Sequence, residues 1–191
     1  MIETILLAFL VAKLKKYKLG PLFKSWAFYP VILFTLLFVY FQVRIFQGDY
    51  SVLYYSSIYK ILYLLSLLVL VIRYKQYIAS LIGSCFVVAG SILNNTAIAA
   101  NGGKMPVYPT LSYITGYIKP DTFEKADKLH VLGTSATKMA FLTDYIDLGY
   151  NVLSIGDVLI RVFTFIAIYC SIACINREKA NYHERNVEMN A

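Results

Sequence analysis

Apolar residues fall in long runs that short basic segments separate, and one half-polar stretch from about Asn101 to Tyr150 interrupts the alternation. Four runs reach the roughly twenty residues that a helix needs to cross a hydrocarbon core: Trp26 to Phe46, Val52 to Ile72, Tyr77 to Ala97 and Val152 to Ile175. A fifth, Met1 to Ala12, is too short alone. It spans only if Lys13, Lys15 and Lys16 reach down from the headgroups and the helix continues towards Leu19. A signal peptide carries its positive charge ahead of its apolar stretch, and here Lys13, Lys15, Lys16 and Lys18 follow it. The pattern therefore favours a retained first helix, and about five spans in all.

Within the interruption, Asn101-Gly102-Gly103-Lys104-Met105-Pro106 ends a helix sharply, because paired Gly frees the backbone and Pro cannot continue a helix. Asp121 with Glu124 three positions on has the spacing of a capping box, which predicts a helix that stops near Gly133. A second short helix is predicted over Thr134 to Tyr145, where Met139, Ala140, Leu142 and Ile146 alternate with Lys138 and Asp144. A connection this long is usually functional or disordered. Its pattern reads as a cap of two short helices.

Composition fixes the class. With 59% hydrophobic and 15% charged residues, the apolar surface exceeds what a water-soluble core of 191 residues could hide. The lipid bilayer is the expected solvent. The fold class is all-α: an integral membrane bundle in a single domain, residues 1–191, with spans near 1–19, 26–46, 52–72, 77–97 and 152–175, a cap over 101–150 and a polar tail over 176–191. The net charge of +7 does not imply nucleic acid as a partner, since Lys and Arg sit beside apolar runs instead of on a basic face.

Orientation follows from where positive charge is retained. Lys13, Lys15, Lys16, Lys18 and Lys24 follow the first run, Arg73 and Lys75 the third, and Arg177, Lys179 and Arg185 the last. Five spans put all three segments in the cytoplasm, with the carboxyl terminus. The amino terminus, the Gln47 to Ser51 loop and the cap are then outside a cell membrane. In the cap, Lys104, Lys119, Lys125, Lys128 and Lys138 are matched by Asp121, Glu124, Asp127, Asp144 and Asp147, so no retention bias opposes its export.

Several motifs carry a resemblance. Asn101-Gly102-Gly103-Lys104-Met105-Pro106-Val107, His130 with Leu132 and Thr134, Leu142-Thr143-Asp144, and Ser154-Ile155-Gly156-Asp157-Val158-Leu159-Ile160 resemble the motifs of a family of small bacterial multi-pass membrane proteins catalogued only as a domain of unknown function (number 5317). The resemblance covers nearly the whole chain. It implies a multi-pass membrane protein and no particular activity.

Depth sharpens the picture. At about 1.5 Å of rise per residue, Gln42 and Arg44 on the second helix, Lys60 on the third, Asn94 and Asn95 on the fourth, and Asp157 and Arg161 on the fifth all fall in the outer half of the membrane. Such side chains are costly in hydrocarbon and normally face a bundle interior, water or one another. The expectation is an outward-facing polar pocket beneath the cap. Its candidate ligand-binding residues are Lys60, Asn94, Asn95, Asp157, Arg161 and Arg44, with Asp157 the only acid, and Asn101, Lys104, His130 and Asp144 are candidates in the cap.

Each residue also has a structural reading. Ser154 and Asp157 can form a capping box, Asp157 and Arg161 have helical ion-pair spacing, Arg44 can snorkel, and the asparagines can bond between helices beside Ala79, Gly83 and Gly90.

No metal, cofactor or catalytic group is implied. His130, Asp144 and Asp147 lack the spacing that would fix them as a metal site, Cys85, Cys170 and Cys174 read as packing residues, and there is no phosphate-binding, dinucleotide or zincin motif. Tyr40, Tyr50, Tyr54, Tyr55 and Tyr59 read as an interfacial belt. The function these features favour is a binding or transport component for a small polar or anionic ligand. The alternatives are a structural or regulatory subunit that docks a membrane-protein partner through the cap and, third, a membrane enzyme.

Overall fold

The computed structural model of the protein describes residues 1–119, 121–125 and 129–189, with side chains except at 125 and 183–189. Pro120, Asp127 and Lys128 of the expected cap, and the side chains of Lys125, His183 and Arg185, lie outside the described residues. Among those described, four helical segments are long and apolar enough to cross a membrane: Trp26–Phe46, Ser51–Arg73, Tyr77–Ala100 and Ile155–Tyr182. They match the four long apolar runs, and the all-α class holds.

Helix α1 (Ile2–Leu14) stops short of Leu19. Its end is a turn in which Lys16 is left-handed and the Tyr17 amide donates to the Ala12 carbonyl at 2.9 Å. Four lysines fall within the six residues that follow Ala12, and a one-turn helix, α2 (Gly20–Phe23), comes next with Pro21 in its first turn. A 3₁₀ turn at Trp26–Phe28 leads into α3 (Tyr29–Phe46), where Pro30 again sits in the first turn, and a second at Ser51–Tyr55 leads into α4 (Ser56–Arg73). Helix α5 (Tyr77–Ala100) ends at Gly102 and Gly103, both left-handed, as the turn signal requires.

The last helix, α8 (Ile155–Met189), is the axis of the bundle. Its Phe163, Ala167, Ile168 and Ile172 are buried in the main core. Helix α1 meets α8 through Ile5, Ala8 and Ala12, and α4 contributes Tyr63, Leu67 and Leu70, both sets at helical spacing. Helix α5 lies along α8 for much of its length, with Gly83, Gly90 and Ala97 recurring every seventh residue. A side chain at Gly90 would overlap the Gly156 carbonyl oxygen, and one at Gly83 would come within 2.7 Å of the Phe163 ring. Lipid gives helices no hydrophobic reason to associate, so close approach over small residues is how such a seam holds.

At the end away from the cap, the Lys18 amide donates to Asn176 Oδ1 at 2.8 Å, Tyr74 Oη donates to Ser25 Oγ at 2.6 Å, and the Gln76 amide meets the Ser171 hydroxyl at 2.6 Å. These bonds gather the three basic segments at one end of the bundle.

The cap differs from the expected pair of helices. It contains β1 (Met105–Val107) parallel to β2 (His130–Leu132), the short helices α6 (Leu111–Thr115) and α7 (Thr122–Lys125), a 3₁₀ turn at Ala140–Leu142, and the hairpin of β3 (Ile146–Asp147) with β4 (Val152–Leu153). Helix α7 does not run to Gly133. That glycine continues the ladder, its amide donating to the Val107 carbonyl at 2.9 Å, and it leaves no room for a side chain against the Tyr108 ring. Nor does a helix fill Thr134 to Tyr145, because the backbone around Asp144 pairs with β1 instead. The last apolar run likewise begins as a strand at Val152 and becomes helical only at Ile155.

Candidate functional site

Side chains that bind backbone hold the cap together. Asp147 accepts from the Thr110 amide at 2.6 Å, the Ser112 amide at 2.8 Å, Ser112 Oγ at 2.6 Å and the Gly149 amide at 2.8 Å. Burial works against its charge, but the bonds from Ser112, Gly149 and Thr110 prevail and hold its carboxyl below the ordinary carboxylate range. Asn101 ties the cap to the end of α5: its amide nitrogen donates to the carbonyls of Ala97 and Lys138, and its oxygen accepts from the Lys138 amide at 2.9 Å.

Beneath the cap is a cavity of about 620 Å³ between α3 and α4 on one side and α5 and α8 on the other. Tyr117, Asn151 and Leu153 of the cap form its roof. Lys60, Asn94, Asn95, Asp157 and Arg161 all line it, with Gln42. Five of the six residues named for the pocket therefore converge from three helices.

Their hydrogen bonds explain how they are held. Ser154 is fully buried; its hydroxyl donates to Asn94 Oδ1 at 2.7 Å and accepts from the Asp157 amide at 2.9 Å. Asn94 Nδ2 then donates to Asp157 Oδ1 at 3.1 Å. The Ser154 cap and the interhelical asparagine are thus one network, set directly above the Gly90–Gly156 approach. Lys60 Nζ lies 3.8 Å from Asp157 Oδ1, and the lysine side chain is 64% exposed. Asn95 makes no side-chain hydrogen bond to a described residue and is exposed.

Arg161 does not form the expected pair with Asp157. It donates to Glu3 Oε1 at 3.1 Å, and Glu3 also accepts from Tyr150 Oη at 2.6 Å and pairs with the Met1 ammonium. Burial, with the bond to Glu3, pushes the Tyr150 phenol up to about 12. Asp157 is therefore not the only acid, since Glu3 stands behind Arg161, where it also meets the Met1 ammonium. Glu3 carried a usable signal: it is the one acid in the first apolar run and obeys the same rule that marked the others.

Arg44 lies outside the cavity. It bonds Asp49 through both Nε, at 3.0 Å, and Nη2. Bonds from Ser51, then from Arg44, lower the Asp49 carboxyl to about 2. In the cap, Asn101 is a structural tie and Lys104 is exposed. His130 Nε2 and Asp144 Oδ2 stand 3.8 Å apart beside a separate cavity of about 120 Å³. Among the described residues, no three His, Cys, Asp or Glu side chains gather as metal ligands would. Of the tyrosines read as a belt, Tyr40, Tyr54 and Tyr55 are exposed, but Tyr50 and Tyr59 are buried, bonding Thr122 and the Phe34 carbonyl.

The model of a family of unknown function, DUF5317, matches residues 20–169. The chain belongs to that family. The match includes α3 to α7, the cap and the first turns of α8, so Gln42, Lys60, Asn94, Asn95, Asp157 and Arg161 fall inside the DUF5317 region and Glu3, behind Arg161, falls outside it. No curated protein and no solved structure matches the chain.

Proposed function

We propose that this DUF5317 protein is a membrane-embedded binding or transport component that holds a small polar ligand in the cavity beneath its cap. The observation that carries the reading is the convergence of Lys60, Asn94, Asn95, Asp157 and Arg161 on one cavity of about 620 Å³. That volume is within the roughly 300–1,000 Å³ of sites that enclose whole small molecules. Asn94, Asp157 and Arg161 are held by structural bonds, but Lys60 and Asn95 are exposed to the cavity beyond any such need, and intramembrane polar groups of that kind mark functional sites. The basic end supports a cell-membrane topology with the cap and amino terminus outside and the tail in the cytoplasm.

Lys60 is the group best placed to meet a ligand, because among the described residues its ammonium has only the long contact to Asp157, and its side chain is exposed. Purified wild type and Lys60→Leu protein, extracted and compared by mass spectrometry, test this. We expect a polar species in the wild-type extract that is depleted at least about ten-fold in the variant, equivalent to about 1.4 kcal/mol of binding. Identical extracts with identical melting curves would remove the proposal.

A further inference from the structure

The charged and amide groups occupy one end of the cavity. Asp157 and Asn94 lie nearest the cap, and Lys60 and Arg161 reach in from about one helical turn deeper. Deeper still, the wall is apolar, formed by Phe38, Leu64 and Val87. Tyr63 and Thr164 are buried at the floor, where the Tyr63 hydroxyl has no hydrogen-bond partner among the described residues.

The same cavity is open at its side. Helices α4 and α5 meet only over a short stretch, whereas α5 and α8 are in extended contact. Ile61 on α4 lines the cavity and is itself 59% exposed, and Lys60 and Asn95 are exposed on the two edges of the gap. With the long helices across a bilayer, this gap faces acyl chains. A soluble ion bound there would leave the apolar lower wall and the side opening to be filled by something else. A molecule with a head and a tail fills both.

We infer that the cavity takes an amphiphile with an anionic headgroup and an alkyl chain, which enters sideways between α4 and α5 from the leaflet on the cap side. Its head meets Lys60, Asn95 and the face of Arg161 turned to the cavity, and its chain lies along Leu64, Val87 and Phe38. The anionic preference follows from what is already satisfied. Glu3 is held by Arg161 and Tyr150 and Asp157 by Asn94, while Lys60 keeps donors to spare. This inference rests on the polar-ligand reading and names the class of ligand.

Native mass spectrometry of the full chain in mild detergent, with phosphatidylglycerol, phosphatidylcholine or glycerol phosphate added separately, tests it. We expect one phosphatidylglycerol retained per chain and weaker retention of phosphatidylcholine. Lys60→Met and Val87→Trp should each reduce that occupancy at least ten-fold, equivalent to about 1.4 kcal/mol, and Ile78→Trp on the exposed far face of α5 should leave it unchanged. If Val87→Trp does not fold, Leu64→Phe replaces it, checked by its melting curve. Equal retention of both lipids, insensitive to Lys60 and Val87, would mean lipid on the outer surface only and would overturn the inference. Retention of glycerol phosphate that depends on Lys60 but not on Val87 would also overturn it, yet would leave the polar site of the preceding section standing. Retention of none of the three would overturn it as well.

Discussion

Helix α5 has two neighbouring stripes that do opposite things. Along one, Gly83, Gly90 and Ala97 bring its backbone against α8 until no side chain fits at Gly90 or Gly156. Along the next, Val87, Ser91 and Ile98 line the cavity, and Asn94 bridges from it to Ser154 and Asp157. The chain changes from sealed seam to cavity wall within a fraction of a helical turn. Without hydrophobic pressure from lipid, closure needs small residues at regular spacing, and where they are missing the helices part. A cavity in this bundle is what remains where the glycine spacing does not reach.

The largest test of that contrast is Gly90→Val against Ser91→Val. The first must push the Gly156 backbone away, and the shift disturbs Asn94 as well, whose oxygen already lies where a Gly156 side chain would be. We expect a loss of about 3 kcal/mol in unfolding stability. Ser91 gives up only a hydroxyl bonded at 2.8 Å to the Val87 carbonyl of its own helix, so its replacement should cost less than about 1 kcal/mol. Titrations with denaturing detergent would measure both. Equal losses would mean that the two stripes do not differ as described.

Arg161→Met and Lys60→Leu separate the sealed side from the open side at the level of charge. Arg161 and Glu3 bridge α8 to α1, with 14% and 32% of their side chains exposed. Removing the arginine leaves Glu3 with Tyr150 and the Met1 ammonium, and we expect a loss of about 1–3 kcal/mol. Adding Glu3→Gln should recover part of that, a coupling that a double-mutant cycle reads directly. Lys60→Leu should cost almost nothing in stability because its ion pair is long and exposed. A Lys60 variant as unstable as the Arg161 variant would make the lysine a structural strut and not a ligand contact.

The difference between these two cations was only half legible in the sequence. Long apolar runs announce spans because nothing else satisfies twenty backbone units in hydrocarbon, and intramembrane polarity marked Gln42, Arg44, Lys60, Asn94, Asn95, Asp157 and Arg161 as a group, of which all but Arg44 line the cavity. Partner choice is another matter. Asp157 and Arg161 have ion-pair spacing, yet Arg161 turns to Glu3, which is 158 residues away. Tyr50 and Tyr59 obey the composition rule for an interfacial belt, which does not say which face of the helix a ring occupies. The cap was least legible. Its strands are two or three residues long and β1 finds its partner across more than twenty residues, so the helix signalled at Asp121 forms only as the short α7 and the one signalled at Thr134 gives way to long-range pairing.

Asp147 gives the smallest test and the one that joins the cap to the cavity. Its carboxylate fixes the start of α6, and Tyr117, just beyond that helix, forms part of the cavity roof. Asp147→Asn keeps the shape but exchanges acceptors for a donor facing amides, so we expect a loss of about 1–2 kcal/mol near neutral pH. The sign with pH is fixed by the depressed carboxyl. The folded state binds the proton less readily than the unfolded chain, so the contribution is complete above the unfolded value of about 3.9 and is lost as pH falls through the folded value. Melting curves of wild type and variant should therefore converge on acidification below about pH 4. A gap that stays constant down to that pH would mean that the side chain holds the roof by its shape and not by its charge. A gap that is absent at neutral pH would mean that the roof is held elsewhere, with Asn101 as the remaining tie to α5.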